Sequence, residues 1–179
     1  MDGVRNAVLL TISEEVGAGI LSNGQLVYGD SGMAGEFGHI QIDPNGPRCG
    51  CGARGCWEMF ASSDAALRYY ADSKPKVAAR TVEDLLRLAG EEDEKAILAL
   101  TRQAECIGNG LRLISATLAP EVILITGDIA AWTQFGPVIE RAFLHSRLGN
   151  LNPRLVPTHE PEVARLRGYP RPAATLQSR

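Results

Sequence analysis

Two neighbouring segments decide the fold of this 179-residue chain: Gly32-Met-Ala-Gly-Glu-Phe-Gly-His39 and Cys49-Gly-Cys-Gly-Ala-Arg-Gly-Cys-Trp-Glu58. They place four metal-binding side chains at spacings of ten, two and five residues: His39, Cys49, Cys51 and Cys56. Zinc prefers four ligands in a tetrahedron and favours thiolate sulfur and imidazole nitrogen. Four protein ligands leave no open coordination position, so the sequence predicts a structural zinc site and not a hydrolytic centre.

The competing interpretation of these cysteines is three reduced thiols in a surface loop beside an unrelated histidine. The clustering argues against it, because loop cysteines rarely cluster without a ligand or a redox role. Gly50, Gly52 and Gly55 also let the backbone turn tightly around one ion. The fourth cysteine, Cys106, is predicted to be a small core residue on a helix.

The bulk composition is that of an ordinary globular chain. Hydrophobic residues make up 45% and charged residues 22%, and the formal net charge is −3. This charge has the wrong sign for a domain that mainly binds phosphate backbones. The first residues lack the pattern of a secretory signal, and no segment approaches membrane-spanning length. We therefore expect a cytoplasmic protein with no membrane partner, in which the cysteines are reduced.

The chain before the cysteines shows strand signals. Residues 6–12 read as a largely buried strand, and a hairpin follows, with strands over 19–22 and 25–28. Asn23-Gly24 between them is a strong signal for a two-residue hairpin turn. Residues 29–56 are rich in Gly, Pro, Asn and Cys, with one short strand predicted over 39–42. So much irregular chain needs another source of order, which a metal would supply.

Helical signals follow the cysteines. Ser62 or Ser63 can cap a helix through residues 65–70, and Thr81 can cap a second one. The third helix is the longest, and its apolar residues recur in steps of three and four, which predicts one buried stripe. The stripe comprises Ile97, Leu100, Ala104, Ile107, Leu111, Ile114 and Leu118.

Two glycines, Gly108 and Gly110, lie inside this long helix. Each costs roughly 1 kcal/mol relative to alanine, so we expect close packing on a neighbouring element as compensation. Pro120 ends the helix. The remaining predicted elements are a buried strand over 121–126, a helix over 134–145 and a short strand over 154–157. This order predicts an α/β domain with a mixed sheet.

The two quoted segments resemble the signature of the ROK family, which groups sugar kinases with sugar-responsive transcriptional repressors. Weaker similarity extends from Val8 to about Gly168. The resemblance implies the actin-like, ribonuclease-H-like α/β architecture, of which this chain is similar to the second lobe. We therefore expect one lobe over residues 1–168 and a frayed tail over 169–179, without the first lobe or a DNA-binding domain. The lobe would contain a zinc loop over residues 36–58, called the cysteine loop below.

The resemblance also implies sugar contacts at three residues. Glu36, His39 and Glu58 match positions that contact sugar hydroxyls in ROK kinases. Carboxylates accept strong, charge-assisted hydrogen bonds from hydroxyls. One ring nitrogen of His39 can bind zinc while the other faces a hydroxyl. The alternative is that Glu36 and Glu58 are plain solvated carboxylates.

The chain departs from the kinases of this family at the parts that handle phosphate. The Asp-x-Gly-Gly-Thr loop and the Asn-Asp pair with the catalytic base are missing, which removes positioning and general-base catalysis. Ser13-Glu-Glu-Val-Gly-Ala-Gly19 replaces a Gly-Thr-Gly-x-Gly-x-Gly phosphate loop. Gly17 and Gly19 survive as a degenerate loop, but Glu14 and Glu15 would repel a triphosphate by about 1 kcal/mol per close pair in water. We therefore do not expect ATP to bind, unless both glutamates point to solvent and the loop still works.

Three functional hypotheses remain. The leading one is the sugar-sensing and oligomerising lobe of a ROK-type repressor, forming a homodimer or a higher oligomer and reaching DNA only through a domain absent from this chain. The alternative is the carboxy-terminal half of an ATP-dependent, glucokinase-like ROK hexose kinase. The third is a remnant with a folded zinc core and no activity. We expect no catalytic residue in this chain and no enzymatic activity of the chain by itself.

Overall fold

A five-stranded mixed sheet forms the centre of the protein. The computed structural model describes residues 3–144 and 152–158. The strands are β1 (Ala7–Ile12), β2 (Val16–Ser22), β3 (Gln25–Val27), β4 (Val122–Thr126) and β5 (Arg154–Thr158). Their order across the sheet is β3-β2-β1-β4-β5. Strand β1 is antiparallel to β2 and parallel to β4, and β5 is parallel to β4, so the predicted mixed sheet is confirmed.

Five α-helices in the described residues accompany the sheet. They are α1 (Glu58–Ala61), α2 (Ser63–Asp72), α3 (Val82–Gly90), α4 (Glu94–Leu118) and α5 (Phe135–Leu144), with short 3-10 turns at Asp30–Gly32, Phe37–His39 and Asp128–Ala131. Ser62 caps α2, and Thr81 forms a capping box with Asp84 at the start of α3, as the sequence predicts. Asp93 caps α4. None of the helices described is both long and apolar enough to cross a membrane.

The hairpin turn between β2 and β3 is confirmed. Asn23 and Gly24 have φ angles of 52° and 79°. Positive φ at both central residues suits the type I′ turn, whose twist matches that of the flanking strands. Strand β1 alternates between fully and partly buried side chains, whereas every residue of β4 is buried. The buried strand predicted over 121–126 therefore corresponds to β4, which lies inside the sheet between β1 and β5.

Helix α4 packs its predicted stripe into the core. The middle five stripe residues are fully buried, and the outer two, Ile97 and Leu118, are partly buried. Both interior glycines lie at close contacts, as expected. A Cβ atom on Gly108 would lie 2.7 Å from the Cβ of Ala142 on α5, and one on Gly110 would lie 1.9 Å from Cε2 of Trp57. The helix ends before Pro120, where Ala119 adopts a left-handed cap with φ 43°.

The strand predicted over residues 39–42 is wrong. Phe37–His39 forms a 3-10 turn, and Gln41 makes only an isolated β-bridge with Cys56. Backbone hydrogen bonds tie this segment to the cysteine loop itself and not to the sheet, since Ile42 N and Asp43 N both donate to Gly55 O. The apolar pattern of residues 39–42 was therefore not a sign of burial in the sheet. The predicted helix end at 145, the lobe end at 168 and the tail over 169–179 lie outside the described residues.

Candidate functional site

The four predicted metal ligands converge in the folded chain. The ligand atoms of His39, Cys49, Cys51 and Cys56 all lie within 4.8 Å of one another. Cys49 Sγ is 3.5 Å from His39 Nδ1, and Cys51 Sγ is 3.6 Å from Cys56 Sγ. Around a tetrahedral zinc with bonds of about 2.3 Å to sulfur and about 2.0 Å to nitrogen, two sulfurs lie about 3.8 Å apart and a sulfur and a nitrogen about 3.5 Å apart. These distances fit one zinc ion.

Backbone turns bring the cysteines together. Cys49 N donates to Ala53 O, and Gly52 N donates back to Cys49 O. Gly52 and Gly55 have φ angles of 95° and 62°, a region that side chains rarely adopt. A Cβ on Gly55 would also lie 1.6 Å from Asp43 O, so only glycine fits there. The turning role expected of the glycines holds at these two positions, whereas Gly50 is not among the glycines with positive φ.

The thiols differ in their tendency to ionise. Burial, together with the hydrogen bond that the thiol donates to Glu58 Oε1 at 2.8 Å, raises the pKa of Cys49 to about 12. Burial also raises the pKa of Cys56. The backbone hydrogen bond at Ala53 lowers the pKa of the exposed Cys51. Metal binding requires thiolates, so a bound cation would supply the charge stabilisation that burial removes, and uptake would release protons.

The three residues predicted to contact sugar lie side by side. Glu36 precedes the 3-10 turn that carries His39, and Glu58 begins α1. His39 Nδ1 lies 3.4 Å from Glu58 Oε1, and His39 Nε2 lies 3.8 Å from Glu36 Oε2. The exposed fractions of the Glu36, His39 and Glu58 side chains are 47%, 38% and 12%. One ring nitrogen thus faces the cysteines and the other faces a surface carboxylate, while the sugar contacts stay a prediction.

The segment predicted to be a degenerate phosphate loop forms a tight turn between β1 and β2. Ser13 N donates to Glu15 O at 2.9 Å, and Glu15 N donates to Ser13 Oγ at 3.4 Å. Gly17 and Gly19 lie within β2, paired with residues of β1. Glu14 and Glu15 are exposed, which agrees with the alternative that both point to solvent. The expectation that this turn does not bind ATP phosphates stays a prediction.

Sequence reasoning missed some residues that support the site. Gln103 lies on α4 among the stripe residues and is fully buried, and its amide reaches the end of α1. A polar residue at a buried helical position was its only signal. Cys106, predicted to be a small core residue, is partly buried, and burial raises the pKa of its thiol. Its backbone oxygen accepts a hydrogen bond from Trp57 Nε1, a contact that no local sequence pattern predicts.

Comparisons with known proteins point to one family with two branches. The model of the ROK family matches residues 1–165. The xylose repressor of Bacillus spizizenii is 38% identical over 124 residues, which are 69% of this chain and 32% of the repressor. N-acetylmannosamine kinase of Citrobacter koseri is 36% identical over 126 residues, 70% of this chain and 42% of the kinase. The matched part of the chain therefore spans less than half the length of these relatives, which include both repressors and kinases.

The structural comparison agrees with the sequence comparison. The crystal structure of a ROK family transcriptional regulator, described as a homologue of the Escherichia coli Mlc protein, matches with a TM-score of 0.77 and 33% identity. The match covers 86% of this chain and 41% of the regulator. The expected ROK fold, with its mixed sheet, helices and a Cys/His cluster compatible with zinc, is thereby confirmed.

Proposed function

This chain belongs to the ROK family, and on that premise we propose that it is the sugar-sensing and oligomerising lobe of a ROK-type transcriptional repressor. The observation that carries the proposal is a contrast between two neighbouring sites. The Glu36, His39 and Glu58 group is assembled beside the metal ligands, whereas the β1–β2 turn is closed on itself and bears two glutamates. A protein that binds sugar without ATP needs only the first site.

The geometry around His39 supports sugar binding. The exposed Glu36 and the largely buried Glu58 can accept hydrogen bonds from adjacent hydroxyls of one sugar, and an imidazole nitrogen of His39 can accept or donate one. The zinc that we propose for the four ligands would hold the cysteine loop in place when bound. Glu58 would then be oriented by its neighbour Cys56 and by the start of α1. The reduced state that these thiols need agrees with the cytoplasmic location that we propose.

In this proposal, the sugar acts by changing a conformational equilibrium. Binding at Glu36, His39 and Glu58 would shift the closure of two lobes in the parent protein. The shift would alter how a homodimer or higher oligomer presents DNA-binding modules that lie outside this chain. A sugar can do so only if it binds the two states with different affinity.

A kinase remains the second candidate, because N-acetylmannosamine kinase matches the chain almost as well as the xylose repressor does. In that case the chain would be the carboxy-terminal half of an ATP-dependent sugar kinase. The two candidates differ in whether ATP binds and whether sugar phosphate forms.

The test is a calorimetric titration of the full parent protein with glucose, xylose, N-acetylmannosamine and ATP. We expect one of the sugars to bind and ATP not to bind. Glu58→Gln should weaken sugar binding about tenfold or more, since a hydrogen bond to a charged group contributes roughly 1.5–3 kcal/mol. Glu140→Gln, at an exposed position on α5, is the control and should leave sugar affinity unchanged. Formation of sugar phosphate from ATP would establish the kinase instead.

A further inference from the structure

Helix α1 is a single turn that carries Glu58 immediately after Cys56 and Trp57. So short a helix is not stable by itself, because nucleation fixes several residues for one hydrogen bond. The last four carbonyl groups of any helix also lack partners within it. The position of α1 must therefore be set by the elements that surround it.

Helix α4 fixes the N-terminal end of α1 through Trp57. This side chain is fully buried, and its Nε1–H donates to Cys106 O at 2.9 Å. Its ring lies against Gly110, where an added Cβ would come within 1.9 Å of Cε2 and 2.0 Å of Cζ2. Gly110 has ordinary helical backbone, so glycine is needed there for space and not for φ. Trp57 stands between Cys56 and Glu58 in the chain. Its contact with Gly110 therefore positions a candidate metal ligand and a candidate sugar-binding residue at the same time.

Side chains of α2 and α4 fix the C-terminal end of α1. Gln103 Nε2 donates to Ala61 O and Ser62 O, each at 3.0 Å. Its Oε1 has no hydrogen-bond partner in the described part of the chain, so this buried amide is used for its donors. Tyr69 Oη donates to Phe60 O at 3.0 Å, and Arg68 donates to Met59 O. The carbonyls at the end of α1 are therefore satisfied by side chains of α2 and α4.

We propose that Gln103 and Gly110 are positioning residues for the site. They lie seven residues apart, two turns along one face of α4, and each holds one end of the segment that carries Cys56 and Glu58. Neither touches the ligand atoms, so both act through the placement of that segment. The roles of Cys56 and Glu58 rest on the proposed function, but their positioning by α4 does not.

The experiment compares Gly110→Ala with Gly108→Ala in the full chain loaded with Co²⁺, whose absorption reports tetrahedral thiolate coordination. Both substitutions add a Cβ at a close contact of α4. The one on Gly108 would meet Ala142 Cβ and Ile139 O at 2.7 Å, on the α5 side. We expect Gly110→Ala to lower Co²⁺ affinity at least about tenfold, like the loss of an outer partner of a ligand. Gly108→Ala should lower the melting temperature without changing Co²⁺ affinity.

Hydrogen exchange supplies a readout that does not depend on metal. Backbone amides of residues 57–62 should exchange faster in Gly110→Ala than in Gly108→Ala, because only the first disturbs α1. Trp57→Phe combined with Gly110→Ala removes the indole atoms that the new Cβ would strike and should recover part of the Co²⁺ affinity. If Gly110→Ala does not fold, Gln103→Met, which keeps the length of the side chain but removes its donors, provides the same comparison.

Equal Co²⁺ affinity and equal exchange of residues 57–62 in the two glycine variants would overturn the proposal. A wild-type chain that takes up no Co²⁺ would count against the metal site of the proposed function. The exchange comparison would still decide whether α4 positions α1, so the two failures are distinguishable.

Discussion

Apolar side chains behave differently in the cysteine loop and in the helix–sheet core. In the loop, Ile40 and Ile42 remain 37% and 45% exposed. In the core, all five residues of β4 and the centre of the α4 stripe are buried. Burial stabilises by about 25 cal/mol per Å² of apolar surface, so the core can be held by packing alone. The loop requires backbone turns, the Trp57 contact and, in our proposal, a metal.

The largest expected effect separates the two regions completely. Chelation of the metal, or Cys56→Ser, should remove exchange protection from residues 40–55 while β4 and α4 stay protected. Cys56→Ser should lower zinc affinity by more than about 100-fold. Loss of a residue that only hydrogen-bonds to a metal ligand lowers metal affinity by up to about 100-fold, and loss of the ligand itself should cost more. Zinc content by mass spectrometry and residue-level hydrogen exchange measure the two effects. Metal-free protein whose loop stays as protected as before would show that the two regions do not differ in this way.

A core substitution should give the opposite pattern. Ile107→Ala removes a fully buried side chain of α4 and should lower the free energy of unfolding by about 2–5 kcal/mol. The folded fraction should still bind one zinc per chain, because Ile107 is not among the residues that hold α1. Urea unfolding and zinc analysis of the folded protein check the prediction. A loss of zinc as large as that in Cys56→Ser would instead show that the cysteine loop and the core unfold as one cooperative unit.

A smaller effect is expected at the start of α4. The side chain of Asp93 accepts a hydrogen bond from Ala96 N at 2.9 Å and caps the helix. Asp93→Ala should lower the free energy of unfolding by about 1 kcal/mol, and Asp93→Ser, which retains a capping oxygen, by less. Thermal unfolding of the three proteins tests this order. Because the cap is about three turns from Gln103, Co²⁺ affinity should not change.

The smallest effect concerns the edge of the core and depends on pH. Hydrogen bonds from the backbone N–H groups of Asn6 and Arg5, at 2.9 and 3.0 Å, lower the pKa of Glu121 below its ordinary value of 4.5. Because the pKa of Glu121 is lower in the folded state than in the unfolded state, the carboxylate stabilises the fold above about pH 4.5. This stabilisation is lost as the pH falls through the folded-state pKa. Wild type should therefore exceed Glu121→Gln in stability near neutral pH, and the difference should shrink in acid. Both proteins lose any bound metal in acid alike, so this loss cancels in the comparison. A difference that is constant with pH would exclude this role for the Glu121 carboxylate.

Local patterns explain most of what the sequence predicted correctly. The type I′ turn at Asn23-Gly24 depends on two adjacent residues, and the α4 stripe depends on a repeat within one helix. The predicted strand over 39–42 failed because an alternating apolar pattern does not reveal whether a sheet edge is nearby. Here Gly55 and Cys56 of the cysteine loop provide the hydrogen-bonding partners instead.

By itself, the sequence determined the identity of the four candidate ligands, the family, and the helices and strands with strong periodicity, because residue type and short-range spacing carry that information. The tertiary structure alone decided that Trp57 lies against Gly110 and that Gln103 reaches the end of α1. The hydrogen bonds from Trp57 to Cys106 O and from Gln103 to Ala61 O join residues 49 and 42 positions apart, and such contacts depend on how α4 docks beside the cysteine loop. A glycine within a helix indicates that something packs closely against it, but only the packed structure shows that the neighbour is the residue between a metal ligand and a sugar-binding candidate.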